Sequence, residues 1–230
     1  MPLRKITITP GFMPNAEGSC LIAFGNTKVI CSASVEKKVP PHINEELSGW
    51  LTAEYAMLPR STQQRVKRDG IAKINSRGIE IQRLIGRSLR QAVDLTLMPG
   101  YTITVDCDVL QADGGTRTAA ITGGCVAVYL AIQTMLQKGM LTHSPFKQWV
   151  AAVSAGIVEG KPVVDLDYVL DSSAEADVNI VMTESGEFVE LQGTGEQGTF
   201  SKQQLNTLIK LSSRAIKQLI TKQKKVVGII

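Results

Sequence analysis

Histidine is almost missing from this chain. His42 and His143 are the only two in 230 residues, and they stand apart in polar or proline-containing segments. The lack of a second ligand at helical or finger spacing argues against a histidine-rich zinc site. A Ser-His-Asp relay passes the count, but no G-x-S-x-G element supports one. Cysteine is also sparse: Cys20, Cys31, Cys107 and Cys125 form no C-x-x-C pair, and each sits in an apolar stretch. That is the pattern of reduced core thiols in a reducing compartment. The N-terminus lacks an apolar h-region, and no apolar run approaches the roughly 18 residues that cross a bilayer, so the expected location is cytoplasmic. Neither the Walker pattern G-x-x-x-x-G-K-[ST] nor the dinucleotide pattern G-x-G-x-x-G occurs. Any catalysis must therefore rest on arginines, carboxylates and backbone dipoles.

What is present is the material of a folded protein. Hydrophobic residues make up 43% and charged residues 20%, which separates the chain from disordered sequences. A net charge of +4 permits a polyanionic partner without demanding one. Ser19–Phe24 and Val29–Val35 read as a hairpin around Gly25-Asn26-Thr27. Leu51–Met57 reads as a strand ending at Pro59, and from Arg60 to Ser76 the chain becomes a polar, basic, exposed loop carrying Arg60, Arg65, Lys67, Arg68 and Lys73. Ile79, Leu84, Ile85, Leu89 and Val93 recur at helical spacing. Arg83, Arg87 and Arg90 fall on another face, as a wet surface pairing with Glu80 and Asp94. A strand at Tyr101–Leu110, a Gly-Gly turn and a helix over about Thr118–Leu136 follow. Two more hairpins turn at Glu159-Gly160-Lys161 and Glu184-Ser185-Gly186. Ser201 then caps a last helix with an apolar stripe from Leu205 to Ile220, whose C-terminal Lys222, Lys224 and Lys225 suit the helix dipole. The order predicts one mixed α/β (α+β) domain over residues 1–230, with sheets covered by helices, two halves alike in element content, and no linker.

Three constellations carry chemistry. In the run Asp106–Thr118 a strand ends in Gly114-Gly115 and opens a helix, where unpaired N–H groups and the helix dipole favour an anion. Thr116 and Thr118 offer hydroxyls, and Arg117 offers a fork matched to phosphate oxygens. An ordinary strand-to-helix turn with threonine caps fits the same residues. The second constellation is acidic: Asp165, Asp167, Asp171, Glu175 and Asp177 suit magnesium. Yet Ser172-Ser173-Ala174-Glu175 also reads as a capping box with Asp171 beside a helix start. The third is the basic loop, which suits a phosphodiester backbone and equally a solvated surface.

Taken together, the segments Gly49–Tyr55, Met57–Thr62, Glu80–Arg87, Asp106–Thr118 and Glu190–Thr194 closely resemble the ribonuclease PH family of phosphorolytic 3′–5′ exoribonucleases, and the likeness runs from about Leu3 to Lys225. This resemblance implies a ribonuclease PH-like fold. It implies that Gly115, Thr116 and Arg117, with Arg77, bind phosphate, and that Asp171 and Asp177 act in catalysis through a divalent metal, magnesium by type. It implies further that Arg60, Arg65 and Arg68 contact RNA, that inorganic phosphate is the co-substrate, and that the chain forms a homo-hexamer (a trimer of dimers) trimming tRNA precursors. Two departures stand out. The family's short basic opening with Asp-Gly-Arg is absent before the first strand, which bears on ring assembly, and its Gly-Gly-Arg turn is replaced by Asn75-Ser76-Arg77. The alternative from another class is a catalytically silent ring subunit that only binds RNA. The presence of Arg77, Thr116, Arg117, Asp171 and Asp177 argues against it.

Overall fold

Strand-forming residues dominate the opening of the chain, and they build a five-stranded sheet. In the computed structural model, which describes residues 3–68 and 76–230, β1 (Ile6–Pro10), β2 (Gly18–Phe24), β3 (Thr27–Glu36), β4 (Trp50–Met57) and β5 (Thr102–Gln111) lie in the order β1-β2-β3-β5-β4. All pairs are antiparallel except β4 with β5. Alternation decides which face is buried: Ile103, Val105, Cys107 and Val109 of β5 point inward with Leu51, Ala53 and Tyr55 of β4. The second half forms a four-stranded antiparallel sheet, order β7-β6-β8-β9, from β6 (Val150–Val158), β7 (Lys161–Val164), β8 (Ala176–Thr183) and β9 (Phe188–Gly195).

Among the described residues four α-helices accompany the sheets: α1 (Ser76–Arg90), α2 (Thr116–Gln137), α3 (Tyr168–Ser173) and α4 (Lys202–Val226). Helix α2 packs on β2, β3 and β5 of the first sheet and on β6 of the second, so it fills the space between them. Residues Thr118–Val128 are buried without a break, because a helix apolar all round has no face to give to water. By length and composition alone α2 could cross a membrane. This corrects the reading that no apolar run came near that length. Thr118, Thr122 and the Gly123-Gly124 pair disguise the run, and most of it is core.

Most expected elements are present, with informative differences. β1 was missed. Helix α1 ends at Arg90, and Val93 instead makes an isolated bridge with Phe146. The capping box expected at Ser172–Glu175 is overturned: Asp167 caps α3, accepting from Leu170 N at 2.9 Å, and the helix stops at Ser173 with Ala174 beyond it. At Ser201 the full capping box forms with Gln204. The arginine face of α1 pairs with other elements. Arg87 reaches Glu190 at 3.3 Å, and Arg90 stacks 4.8 Å over Trp50 while donating to Leu51 O. Asp94 caps a short 3-10 turn at Leu95–Leu97. Lys73 and Asn75 lie outside the described residues. All four cysteines are free and buried, and Cys20, Cys31 and Cys107 sit side by side across β2, β3 and β5. Hydrogen bonding with Cys107 and Cys20, then burial, pushes the Cys31 thiol well up.

The close approach of β2 to α2 depends on Gly18. A Cβ there would lie 2.1 Å from Ala127 O and 2.3 Å from Ala131 N, both rigid backbone atoms. Gly18→Ala is therefore expected to lower stability by about 3 kcal/mol, as measured by chemical denaturation. Gly139→Ala, where nothing lies within 4 Å, should lose only about 1 kcal/mol.

Candidate active site

The Asp106–Thr118 run places its turn at the mouth of a cavity. β5 ends at Gln111, and Gly114 (φ +72°) and Gly115 (φ +66°) both take left-handed backbone before α2 begins. Gly114 is required on two counts, since a Cβ there would also sit 2.4 Å from Leu166 O and 2.6 Å from the Asp167 carbonyl carbon. Thr27 Oγ1 donates to Gly114 O (2.6 Å) and accepts from Asp113 N (3.0 Å), so the first hairpin's turn supports this one. No side chain caps the start of α2 among the described residues. Its first N–H groups, and the positive end of its dipole, therefore face the cavity.

The cavity measures about 690 Å³, and Arg77, Gly115, Thr116, Arg117, Asp171 and Asp177 all line it. Six residues expected from the sequence to act together, drawn from α1, the α2 turn, α3 and β8, are thus gathered in one place. Arg77 stands exposed in the first turn of α1. Arg117 is held from outside, with Nη1 donating to Gln192 Oε1 at 3.3 Å and lying 3.6 Å from Glu80 Oε1. Gln192 in turn donates to Glu80 at 3.4 Å. Thr116 Oγ1 is 2.8 Å from the Tyr55 hydroxyl. Burial raises the Tyr55 pKa, against the Thr116 hydrogen bond and the charges of Arg77 and Arg117. Thr118 corrects an expectation: it is buried and its hydroxyl donates to Gly115 O at 2.9 Å, so it serves the turn and not an anion.

The acidic constellation separates into distinct roles. Asp165 pairs with Arg4 at 2.7 Å, Asp167 caps α3, and Glu175 Oε1 accepts from Gly160 N at 2.9 Å. Only Asp171 and Asp177 of the five line the cavity. Burial, then Glu196, raises the Asp171 carboxyl against the opposing charges of Arg77, Arg117 and Arg4. Burial, then Asp171, pushes Asp177 up to about 6, although Arg117 and a hydrogen bond from Asn179 Nδ2 (3.3 Å) pull it down. Two carboxylates that share a partly buried corner, repel each other and are incompletely neutralised fit a divalent cation. Among the described residues no group of three or more His, Cys, Asp or Glu could hold a metal. Magnesium, which keeps most of its water, asks for only one or two protein carboxylates.

Arg60, Arg65 and Arg68 are exposed and do not line the cavity, but Thr62, Gln63, Gln64 and Val66 between them form part of its wall. Arg60 Nη1 donates to Gln63 O at 2.9 Å, which closes the loop on itself. Sequence reasoning missed Tyr55 as a partner of Thr116, Asn179 beside Asp177, Glu196 and Arg4. Asn179 alone left a readable trace, two residues from Asp177 on the same face of a strand.

An acid whose pKa is higher folded than unfolded binds more protons when folded. Asp177 therefore contributes stability below about pH 4 that is lost as pH rises through about 6. In metal-free protein, Asp177→Asn should melt above the wild type near neutral pH, with the gain vanishing towards about pH 4. Thermal melts across that range check it, and a variant less stable than wild type at neutral pH would contradict it.

Two family models match this chain, the first domain of the 3′ exoribonuclease family over residues 2–132 and its second domain over residues 148–215. The chain is 54% identical to ribonuclease PH of Bacillus pumilus, covering 98% of this chain and 94% of that one. It is 50% identical to ribonuclease PH of Syntrophomonas wolfei, covering 99% and 95%. The fold is that of rice (Oryza sativa) Rrp46, with a TM-score of 0.80 at 19% identity over 99% of this chain and 96% of that one. It is shared by a chain of the Archaeoglobus fulgidus exosome with RNA bound to the active site, with a TM-score of 0.79 at 21% identity over 96% and 89%. With a mixed α/β architecture of this form and close relatives along nearly its whole length, the chain belongs to the ribonuclease PH family of 3′ exoribonucleases.

Proposed function

We propose that this chain is an enzyme that shortens RNA from the 3′ end with inorganic phosphate as the attacking group, its substrates being tRNA precursors with 3′ extensions. The observation that carries this reading is the meeting of Arg77, Arg117 and an uncapped helix N-terminus with Asp171 and Asp177 around one cavity. A water-splitting nuclease needs anion sites only for the phosphates of the RNA itself. A phosphorolytic one must seat a free phosphate beside the phosphodiester it attacks.

Free phosphate rests on the Gly115–Thr116 backbone, with the Arg117 fork on one side and Arg77 on the other. One of its oxygens attacks the phosphorus of the terminal phosphodiester while the bond to the 3′ oxygen of the penultimate ribose breaks. The shortened RNA leaves with a 3′ hydroxyl and the terminal nucleotide leaves as a nucleoside 5′-diphosphate. A phosphoanhydride replaces a phosphodiester, so the step is reversible. Bringing two anions together is the main barrier, and positioning by the turn plus neutralisation by the arginines lowers it. Asp171 and Asp177 would hold a divalent cation, magnesium by the all-oxygen donor set, which supplies further neutralisation of the phosphoryl oxygens when bound. Arg60, Arg65 and Arg68 would guide the RNA strand across the wall formed by Thr62–Val66. Among the described residues, a hydrophobic cluster drawing on both sheets supports one folding unit over residues 1–230. We assign it to a cytoplasmic homo-hexamer, a trimer of dimers, in keeping with exosome-core neighbours of the same fold.

On RNA with a 3′ extension, release of nucleoside diphosphate should rise with phosphate concentration. Monophosphate release, or turnover unchanged when phosphate is withheld, would refute the proposal. Arg117→Ala should cut turnover at least roughly tenfold. Replacing Arg65 or Arg68 with Ala should weaken RNA binding and reduce the slope of log affinity against log salt by about 1 each, leaving the phosphate concentration for half-maximal rate unchanged.

A further inference from the structure

Arg4 stands just before β1, far in sequence from every residue of the proposed chemistry, yet its side chain reaches two loops that frame it. Its stem crosses Gly25, where a Cβ would lie 3.0 Å from Arg4 Cδ. At the far end, Nη2 meets Asp165 Oδ1 at 2.7 Å and Nη1 donates to Asp113 O at 2.6 Å, while the backbone N–H of Arg4 donates to Asp165 Oδ2 at 2.7 Å. One guanidinium thus grips two loops. Asp113 immediately precedes the glycine turn, and a Cβ at Gly115 would lie 3.2 Å from Arg4 Nη2. Asp165 lies in the link from β7 to α3, the helix that carries Asp171.

Asp165 is an unusual residue for this place. Its carboxylate is nearly fully buried, at 1% side-chain exposure, and its backbone is left-handed at φ +61°. Such a conformation in a non-glycine residue is held only by surrounding contacts, and here Asp165 N donates to Ser154 O at 2.6 Å. Asp113 ties the same two loops a second time, since its Oδ1 accepts from Tyr168 N at 3.3 Å at the start of α3.

We propose that the Arg4–Asp165 pair is a positioning clamp that fixes the phosphate turn relative to the helix bearing Asp171, and so sets the spacing between the attacking phosphate and the acidic corner. The proposal rests on the phosphorolytic reading. Arg4 touches no reacting atom in this scheme; it acts through Asp113 and Asp165. A fork with two separate donor nitrogens is required, because a single ammonium nitrogen cannot stand where both Nη1 and Nη2 meet their acceptors.

The test is steady-state phosphorolysis of a 3′-extended RNA across phosphate concentrations, for wild type, Arg4→Lys, Asp165→Asn and Arg4→Met. Arg4→Lys keeps the charge, and Asp165→Asn keeps a side chain that tolerates left-handed backbone, so both guard against the chance that Arg4→Met fails to fold. Arg4→Lys and Asp165→Asn should each lower kcat/KM for phosphate by roughly tenfold, the scale of a sub-ångström misplacement where a full ångström costs about a hundredfold, with RNA affinity unchanged. The Arg4→Lys/Asp165→Asn double variant should be no worse than the weaker single, as expected for one shared contact. Variants that lose melting temperature but keep wild-type phosphate kinetics would overturn the clamp, as would an equal loss in RNA affinity. A wild type indifferent to phosphate would instead remove the reading on which the clamp rests, so the two failures are distinguishable.

Discussion

The burial of helix α2 between two sheets is the constraint from which the rest follows. A helix buried without a break from Thr118 to Val128 can present its N-terminal half to solvent only at its first turn. Its N-terminal end opens into the cavity, with two left-handed glycines in front of it and no side chain over its first amides. The anion-seeking end of a dipole is thereby pinned in a fixed direction by the whole core. Its aim needs no local adjustment, and the arginines have only to gather around it.

Electrostatics in the cavity are arranged as a contrast, not a uniform field. Arg77 and Arg117 stand against Asp171 and Asp177: burial and neighbouring carboxylates push both carboxyls up, while Arg117 pulls both down and Arg77 pulls down that of Asp171. Glu80 and Gln192 hold Arg117 from the rim, outside the acidic corner, so its fork stays presented to the cavity. A site that must bring one anion to another needs cations that are placed but not consumed, and this arrangement keeps them so.

Much of the architecture was legible in the chain because local signals agreed. Alternation along Thr102–Gln111, turn chemistry at Gly25-Asn26-Thr27 and the Ser201 cap each name an element without reference to anything distant. The Gly114-Gly115-Thr116-Arg117 turn was readable for the same reason. Sorting the five acidic residues was not. Asp165, Asp167 and Glu175 differ from Asp171 and Asp177 only in which distant groups they meet, and those meetings are set by tertiary packing. The misread capping box at Ser172 shows the limit of local rules: Asp167 offers the same chemistry five residues earlier and wins. Thr118 was assigned to an anion because a hydroxyl at a helix start has two uses, and the sequence does not say which. Arg4 and Tyr55 gave no signal at all, since their partners lie far away along the chain.

Helix α2 has one further consequence, for the order in which the protein is made. Residues 116–137 leave the ribosome before β6 and α4, which supply the cover on one flank. During that interval this apolar helix has only the first sheet to pack against. Synthesis therefore passes through a stage with a sticky open side, where chaperones or rapid completion of the chain decide between folding and aggregation. The seal that aims the helix in the finished enzyme is also its point of greatest exposure while the chain is being born.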